Sequence, residues 1–290
     1  MRIESFNLFS TKKYPLQIAL LDSHGERLAG NKAYKLSSWI QQASAQQCGL
    51  LSCGGAWSNH LHALAAAGQD YALPTAALVR GYEPSRPTAT LQDCLDWGMQ
   101  LISVDRHIYS RRNEVGFADQ YLRKLAFPAL WVPEGGTDEQ AVTACEQMGH
   151  ELNQQLAAGH NFDAVWVAVG SGGTIAGIAR SLDPAIKLFA VPVMSHWQAV
   201  AERVAALSAG SYQRIHWLDG AAYGGFGRMN KSMAAFMQVL EAVNSVQLDP
   251  VYTAKVARRL YDACFAGEEV GYRPLILHTG GLQGRRGMLC

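Results

Sequence analysis

The chain has 290 residues, 49% of them hydrophobic and 17% charged, with a formal net charge of +1. That length exceeds an ordinary single domain and can bury a large core, and the composition excludes a disordered chain or a coiled coil. Charges that nearly cancel, with no block of like charge, argue against nucleic acid as a partner.

The opening stretch MRIESFNLFSTKKYPLQ lacks the apolar core of a secretory signal, and no apolar run reaches the ~18 residues a spanning helix requires. The expectation is a cytoplasmic protein with no membrane partner. Cysteines at 48, 53, 94, 145, 264 and 290 form no CxxC pair, which points to reduced, mostly buried thiols. His60 and His62 are the only close histidines, and an i, i+2 pair on a helix points in two directions, so no metal site is expected.

Along the chain, LAGNKAYKL (28–36) is a small-residue turn leading into a helical pattern over 34–45. Lys35 reads as an ordinary solvated helix lysine. Lys32 follows Gly30-Asn31 at the first turn, where partial desolvation and the positive helix end would favour a neutral, nucleophilic amine. Next comes GLLSC (49–53), an apolar strand pattern, then the loop CGGAWSNH (53–60) and a helical pattern over 60–67. Ser58 and Asn59 stand where that helix begins. One reading makes them N-caps; the other makes them, with nearby amides, a site for a carboxylate or a cofactor oxygen. Ser58 lacks the GxSxG setting of a hydrolase nucleophile.

Strand patterns follow at TAALV (75–79), QLISV (100–104) and LWVP (130–133), then a helix over 139–156. AVWVAV (164–169) runs through GSGGTIAG (170–177) into a short helix over 174–179. That order of strand, glycine turn and helix can present amides and a helix dipole to one phosphate, or can be a ligand-free turn. It matches neither the dinucleotide fingerprint nor the P-loop. LFAVPV (188–193) and LILHT (275–279) complete the strands, the latter continuing into HTGGLQG (278–284). Alternating apolar strands and helices imply parallel strands buried on both faces, with ligands beyond their C-terminal ends. A single-phosphate cup together with an activated lysine suggests pyridoxal phosphate, held by Lys32 as a Schiff base.

Six segments carry a resemblance to a known family. GNKAYKL, SCGGAWSNHLHALAAA, PEGGT (133–137), GSGGTIAG, LDPVYTAK (248–255) and LHTGG (277–281) occur in the order found in fold-type II pyridoxal-phosphate enzymes. They are most similar to the branch containing 1-aminocyclopropane-1-carboxylate deaminase and D-cysteine desulfhydrase. The resemblance implies a two-lobed α/β fold like that of the tryptophan synthase β chain, with open, mostly parallel sheets flanked by helices. Residues 47–136 would form the small lobe, and 1–46 with 137–290 the large one. It implies a homodimer as well.

For individual residues, the resemblance makes Lys32 the cofactor lysine and puts Asn59 on the ring hydroxyl oxygen. Ser58 would fall beside the substrate carboxylate, with Asn59 and His60 also binding substrate, and the backbone of Ser171, Gly172, Gly173 and Thr174 would hold the phosphate. Tyr252 would point its phenol at the substrate, Thr253 would face the pyridine nitrogen, and Thr279 would bind the cofactor. The deaminase branch has glutamate and leucine where this chain has Thr253 and Thr279. A threonine hydroxyl donates to an unprotonated nitrogen and weakens the electron sink, which suits β-elimination. D-cysteine would then give pyruvate, sulfide and ammonia. The alternatives are deamination of the cyclopropane amino acid, elimination or racemisation of another small D- or L-amino acid, and a non-catalytic protein that binds pyridoxal phosphate or an amino acid. The chain departs from the family pattern at Phe226, where a tyrosine is usual and which faces the substrate in the family, with Tyr223 as its possible substitute. It departs again at His62, which replaces an arginine.

Overall fold

The long apolar runs are the inner strands of two sheets, and their continuity reflects burial on both faces. The computed structural model describes every residue except 9–14, 22–26, 196, 220–222, 224–226, 228 and 288–290. The elements, in chain order, are β1 (Arg2–Ser5), β2 (Gln17–Leu20), α1 (Asn31–Gln46), β3 (Gly49–Gly54), α2 (Asn59–Tyr71), β4 (Thr75–Arg80), α3 (Ala89–Asp96), β5 (Gln100–Val104), α4 (Arg106–Ser110), α5 (Asp119–Leu122) and β6 (Ala129–Trp131). They continue with α6 (Glu139–Ala157), β7 (Ala164–Val169), α7 (Gly173–Ser181), β8 (Lys187–Pro192), α8 (Gln198–Leu207), β9 (Ile215–Trp217), α9 (Lys231–Asn244), α10 (Thr253–Ala266) and β10 (Pro274–His278).

The chain divides into two compact units, one made of Ser23–Ala141 and the other of Met1–Asp22 with Val142–Cys290. The first takes in α1 as well as the span 47–136. It holds a four-stranded sheet in the order β5-β4-β3-β6, parallel throughout. Every residue of β3 is buried. One core cluster joins Leu36, Ile40 and Ala43 of α1 to Leu50, Ala77 and Val79 and to the alanine-rich face of α2, from Leu61 to Ala67. Alanines let that helix lie close to the strands, where larger side chains would hold it away.

The second unit holds six strands in the order β1-β2-β10-β7-β8-β9. All pairs are parallel except the edge pair β1–β2. Trp166 of β7 is fully buried, stacks on Phe189 of β8 with ring centroids 4.6 Å apart, and donates its indole N–H to the Val270 carbonyl at 3.1 Å. The buried face of α10 packs on this layer through Ala254, Ala257, Leu260 and Ala263. Both units therefore carry the mostly parallel sheets flanked by helices expected from the alternating pattern. Cys48, Cys53, Cys94 and Cys145 are buried. Burial pushes the Cys53 and Cys94 thiols up to about 12, so both stay protonated.

Candidate active site

Lys32, Ser58, Asn59 and His60 all belong to the unit of the four-stranded sheet. Helix α1 starts after Gly30, whose φ of +67° is open to glycine. Among the described residues no side chain caps this end, where the helix dipole is positive. Lys32 is the second helical residue, half-buried, with its Nζ donating to Asn31 Oδ1 at 3.2 Å.

Lys35 departs from its expected place in water. It is 2% exposed, and its Nζ donates to the Gly135 carbonyl at 3.2 Å and to Thr137 Oγ1 at 2.9 Å. One turn of α1 is covered on all sides, with Ala33, Tyr34, Lys35 and Leu36 buried in succession. A helical period cannot reveal that burial.

At the start of α2 the N-cap reading of Ser58 holds: its Oγ accepts the Leu61 amide at 3.2 Å. Capping occupies only the oxygen and leaves the hydroxyl proton to donate elsewhere. Asn59 follows as the first helical residue, half-buried. His60 is 3% exposed, and its Nε2 lies 2.8 Å from Ser52 Oγ. The Ser52 hydroxyl donates to the Val132 carbonyl at 2.7 Å, so Nε2 must carry the imidazole proton. Nδ1 is left as a buried acceptor with no partner among the described residues. Burial, followed by the charges of Lys32 and Lys35, pulls His60 down to about 3, so the ring is neutral near pH 7.

The PEGGT segment forms a 3-10 turn over Glu134–Gly136. Gly135 and Gly136 both have positive φ, and a Cβ on Gly136 would meet His60 Cε1 at 3.4 Å and Lys35 Cβ at 3.6 Å. His62 reaches Asp93 Oδ2 at 3.0 Å and sits edge-on to Trp97.

Ser171, Gly172, Gly173, Thr174, Tyr252, Thr253 and Thr279 lie in the other unit. Strands β7 and β10 are parallel neighbours, so Gly170–Ser171 and Thr279 leave the same end of the sheet. Gly172 precedes α7 at φ +92° with no side-chain cap. A Cβ on it would come within 2.5 Å of Val204 Cγ2, so only glycine fits both the angle and the space. The ring of Tyr252 packs over this loop, and a Cβ on Gly170 would lie 3.1 Å from Tyr252 Cε1.

Asp249 organises the turn before α10, its Oδ1 accepting the Val251 amide at 2.9 Å and the Tyr252 amide at 2.5 Å. Thr253 opens α10 fully buried, and its hydroxyl has no hydrogen-bond partner among the described residues. Beyond β10, the Gly280 amide donates to His278 Nδ1 at 3.0 Å, so Nε2 holds the proton and donates to the Gln247 carbonyl at 2.9 Å. That bridge fixes the turn carrying Thr279, which is 7% exposed.

Phe226 lies outside the described residues. Tyr223, its possible substitute, donates its hydroxyl to Asp262 Oδ2 at 2.7 Å, and burial with that carboxylate raises its pKa. Sequence reasoning missed the buried Lys35, the histidine tautomers and Lys255. Lys255 is fully buried on α10 and pulled down to about 8 by burial, against the opposing charge of Asp249.

The family model described as "Pyridoxal-phosphate dependent enzyme" matches residues 9–267. A putative 1-aminocyclopropane-1-carboxylate deaminase of Thermotoga maritima is 28% identical over 277 residues, covering 88% of this chain and 85% of its own. A D-cysteine desulfhydrase of Salmonella choleraesuis is 28% identical over 281 residues, with 88% and 83% covered. The solved structure of an ACC deaminase homologue, 24% identical, superposes with a TM-score of 0.81 over 98% of this chain and 90% of its own. With most of its length matched by the family model and its fold superposing on that solved structure, the chain belongs to the pyridoxal-phosphate dependent enzymes of fold type II.

Proposed function

We propose that this enzyme eliminates a β leaving group and ammonia from a small amino acid, with D-cysteine as the first candidate. One D-cysteine and one water would give pyruvate, hydrogen sulfide and ammonia. The observation that carries this choice is the buried hydroxyl of Thr253, without a partner among the described residues. A buried hydroxyl without a partner is costly, and an unprotonated ring nitrogen would accept its proton. A carboxylate at this position would instead keep the nitrogen protonated.

The remaining residues fit pyridoxal phosphate in the same way. The uncapped start of α7 and the glycine-only turn at Gly172 offer amides to a phosphate, from Ser171 through Thr174, and Asn59 would hold the ring hydroxyl oxygen. When bound, the cofactor supplies an electron sink that makes the Cα proton of an amino acid removable. Lys32 would hold the cofactor and, once released, take that proton. The Ser58 hydroxyl and the first amides of α2, with Asn59, would hold the substrate carboxylate beside the neutral His60, and Tyr252 would orient the substrate with its phenol. Thr279 would stand with Thr253 on the nitrogen side.

A second reading, deamination of 1-aminocyclopropane-1-carboxylate, is favoured by relatives bearing that name, including the one from Thermotoga maritima. Keto-acid release from D-cysteine, L-cysteine and the cyclopropane amino acid, measured side by side, separates the two. The proposal predicts faster release from D-cysteine; faster release from the cyclopropane amino acid would replace it. We also propose a homodimer working in the cytoplasm. Among the described residues, no helix is long and apolar enough to cross a membrane.

A further inference from the structure

Arg80 ends β4 as its one exposed residue, beside the loop that leads to Ser58. Gly54 of β3 is in register with Val79, and an Arg80 guanidinium nitrogen lies 3.7 Å from where a Cβ on Gly55 would stand. Gly55 is tied to the carboxylate-site residue directly, because the Ser58 amide donates to the Gly55 carbonyl at 3.1 Å. The next carbonyl, that of Ala56, accepts the Thr88 hydroxyl at 2.5 Å. The guanidinium thus stands over a loop fixed at two successive carbonyls, at a position where glycine leaves it uncovered.

Among the described residues its charge lacks a countercharge. Arg80 and Arg112 both approach the ring of Tyr109, at 5.4 Å and 4.7 Å from the centroid. The one carboxylate of this cluster, Glu134, accepts from Arg112 Nε and from the Tyr109 hydroxyl, both at 2.5 Å. Among the described residues Arg80 has no ion pair. An arginine steadied by an aromatic ring beside a carboxylate-binding loop suits bidentate capture of a second anionic group.

We infer that Arg80 reads an anionic group on the β substituent of the amino-acid substrate, so that a substituent ending in carboxylate or phosphate is taken in preference to a neutral one of the same shape. This rests on the elimination reading for its chemistry. S-carboxymethylcysteine plus water would give pyruvate, ammonia and thioglycolate, and O-phosphoserine plus water would give pyruvate, ammonia and phosphate.

The test compares S-carboxymethylcysteine with its neutral isostere S-carbamoylmethylcysteine, and O-phosphoserine with serine, in both enantiomers. Pyruvate release and calorimetric affinity are measured for the holoenzyme and for Arg80→Gln and Arg80→Lys, with thermal unfolding as a check on folding. The expected result is a carboxymethyl preference of about tenfold or more, lying mainly in KM and Kd. It should fall toward one in Arg80→Gln and be partly kept in Arg80→Lys. The phosphate pair shows whether both anions are read or the carboxylate alone. A wild-type ratio near one, or a ratio untouched by Arg80→Gln, overturns the inference. If no compound yields pyruvate, the elimination reading fails, and the affinity ratio alone then decides the role of Arg80.

Discussion

His60 donates to Ser52, and not the reverse, because the single Ser52 hydroxyl proton is committed to the Val132 carbonyl. The ring beside the proposed substrate loop is therefore a neutral imidazole of fixed tautomer with a buried lone pair. Its folded-state pKa lies below the ordinary value, so its contribution to stability is present above about 6.5 and is lost as pH falls toward about 3. Unfolding free energy should decline across that window with a slope of up to ~1.4 kcal/mol per pH unit from this group. Denaturant titrations at several pH values should show a shallower decline in His60→Gln. An equal slope in the variant would contradict the assignment.

Ser52→Ala removes the acceptor for a buried imidazole N–H and the donor to Val132. A loss of about 1–3 kcal/mol is expected in urea unfolding. Ser52→Cys, a poorer acceptor of similar size, should fall between wild type and alanine.

Lys35 has a structural role. Lys35→Ala removes the ammonium that donates to the Gly135 carbonyl and the Thr137 hydroxyl and opens space in the core, for an expected loss of about 2–4 kcal/mol. Lys35→Met refills the volume and should recover part of it, as measured by denaturant midpoints.

Thr253→Val should separate stability from activity. Replacing a buried hydroxyl that has no partner among the described residues with a methyl of the same shape should leave the cofactor-free protein as stable as wild type, or more stable by about 1–2 kcal/mol. Loss of the donor to the ring nitrogen should lower kcat for elimination by about tenfold or more. A destabilised apo-protein with full activity would show that the hydroxyl serves the fold.

The long inner strands were legible because burial on both faces leaves an unbroken apolar run, as in Ala164–Val169. Strands β1, β2 and β9 escaped notice, having only three or four residues and no run long enough to distinguish a strand from a loop. The motifs pointed to Lys32, Ser58 and Thr253 because their neighbours in sequence carry the signal. Ser52 lies 8 residues from the His60 it fixes, the carbonyl that commits its hydroxyl lies 80 residues from Ser52, and the carbonyl that accepts from Lys35 lies 100 away. Contacts formed at such separations leave no local pattern to read.

Among the described residues two lysines have the surroundings of a reactive amine: Lys32, in the first turn of α1, and Lys255, buried and lowered to about 8. Borohydride reduction of the holoenzyme followed by peptide mass spectrometry distinguishes them. The account predicts one pyridoxyl group, on Lys32, and none in Lys32→Ala. Label on Lys255, or label that persists in Lys32→Ala, would contradict it.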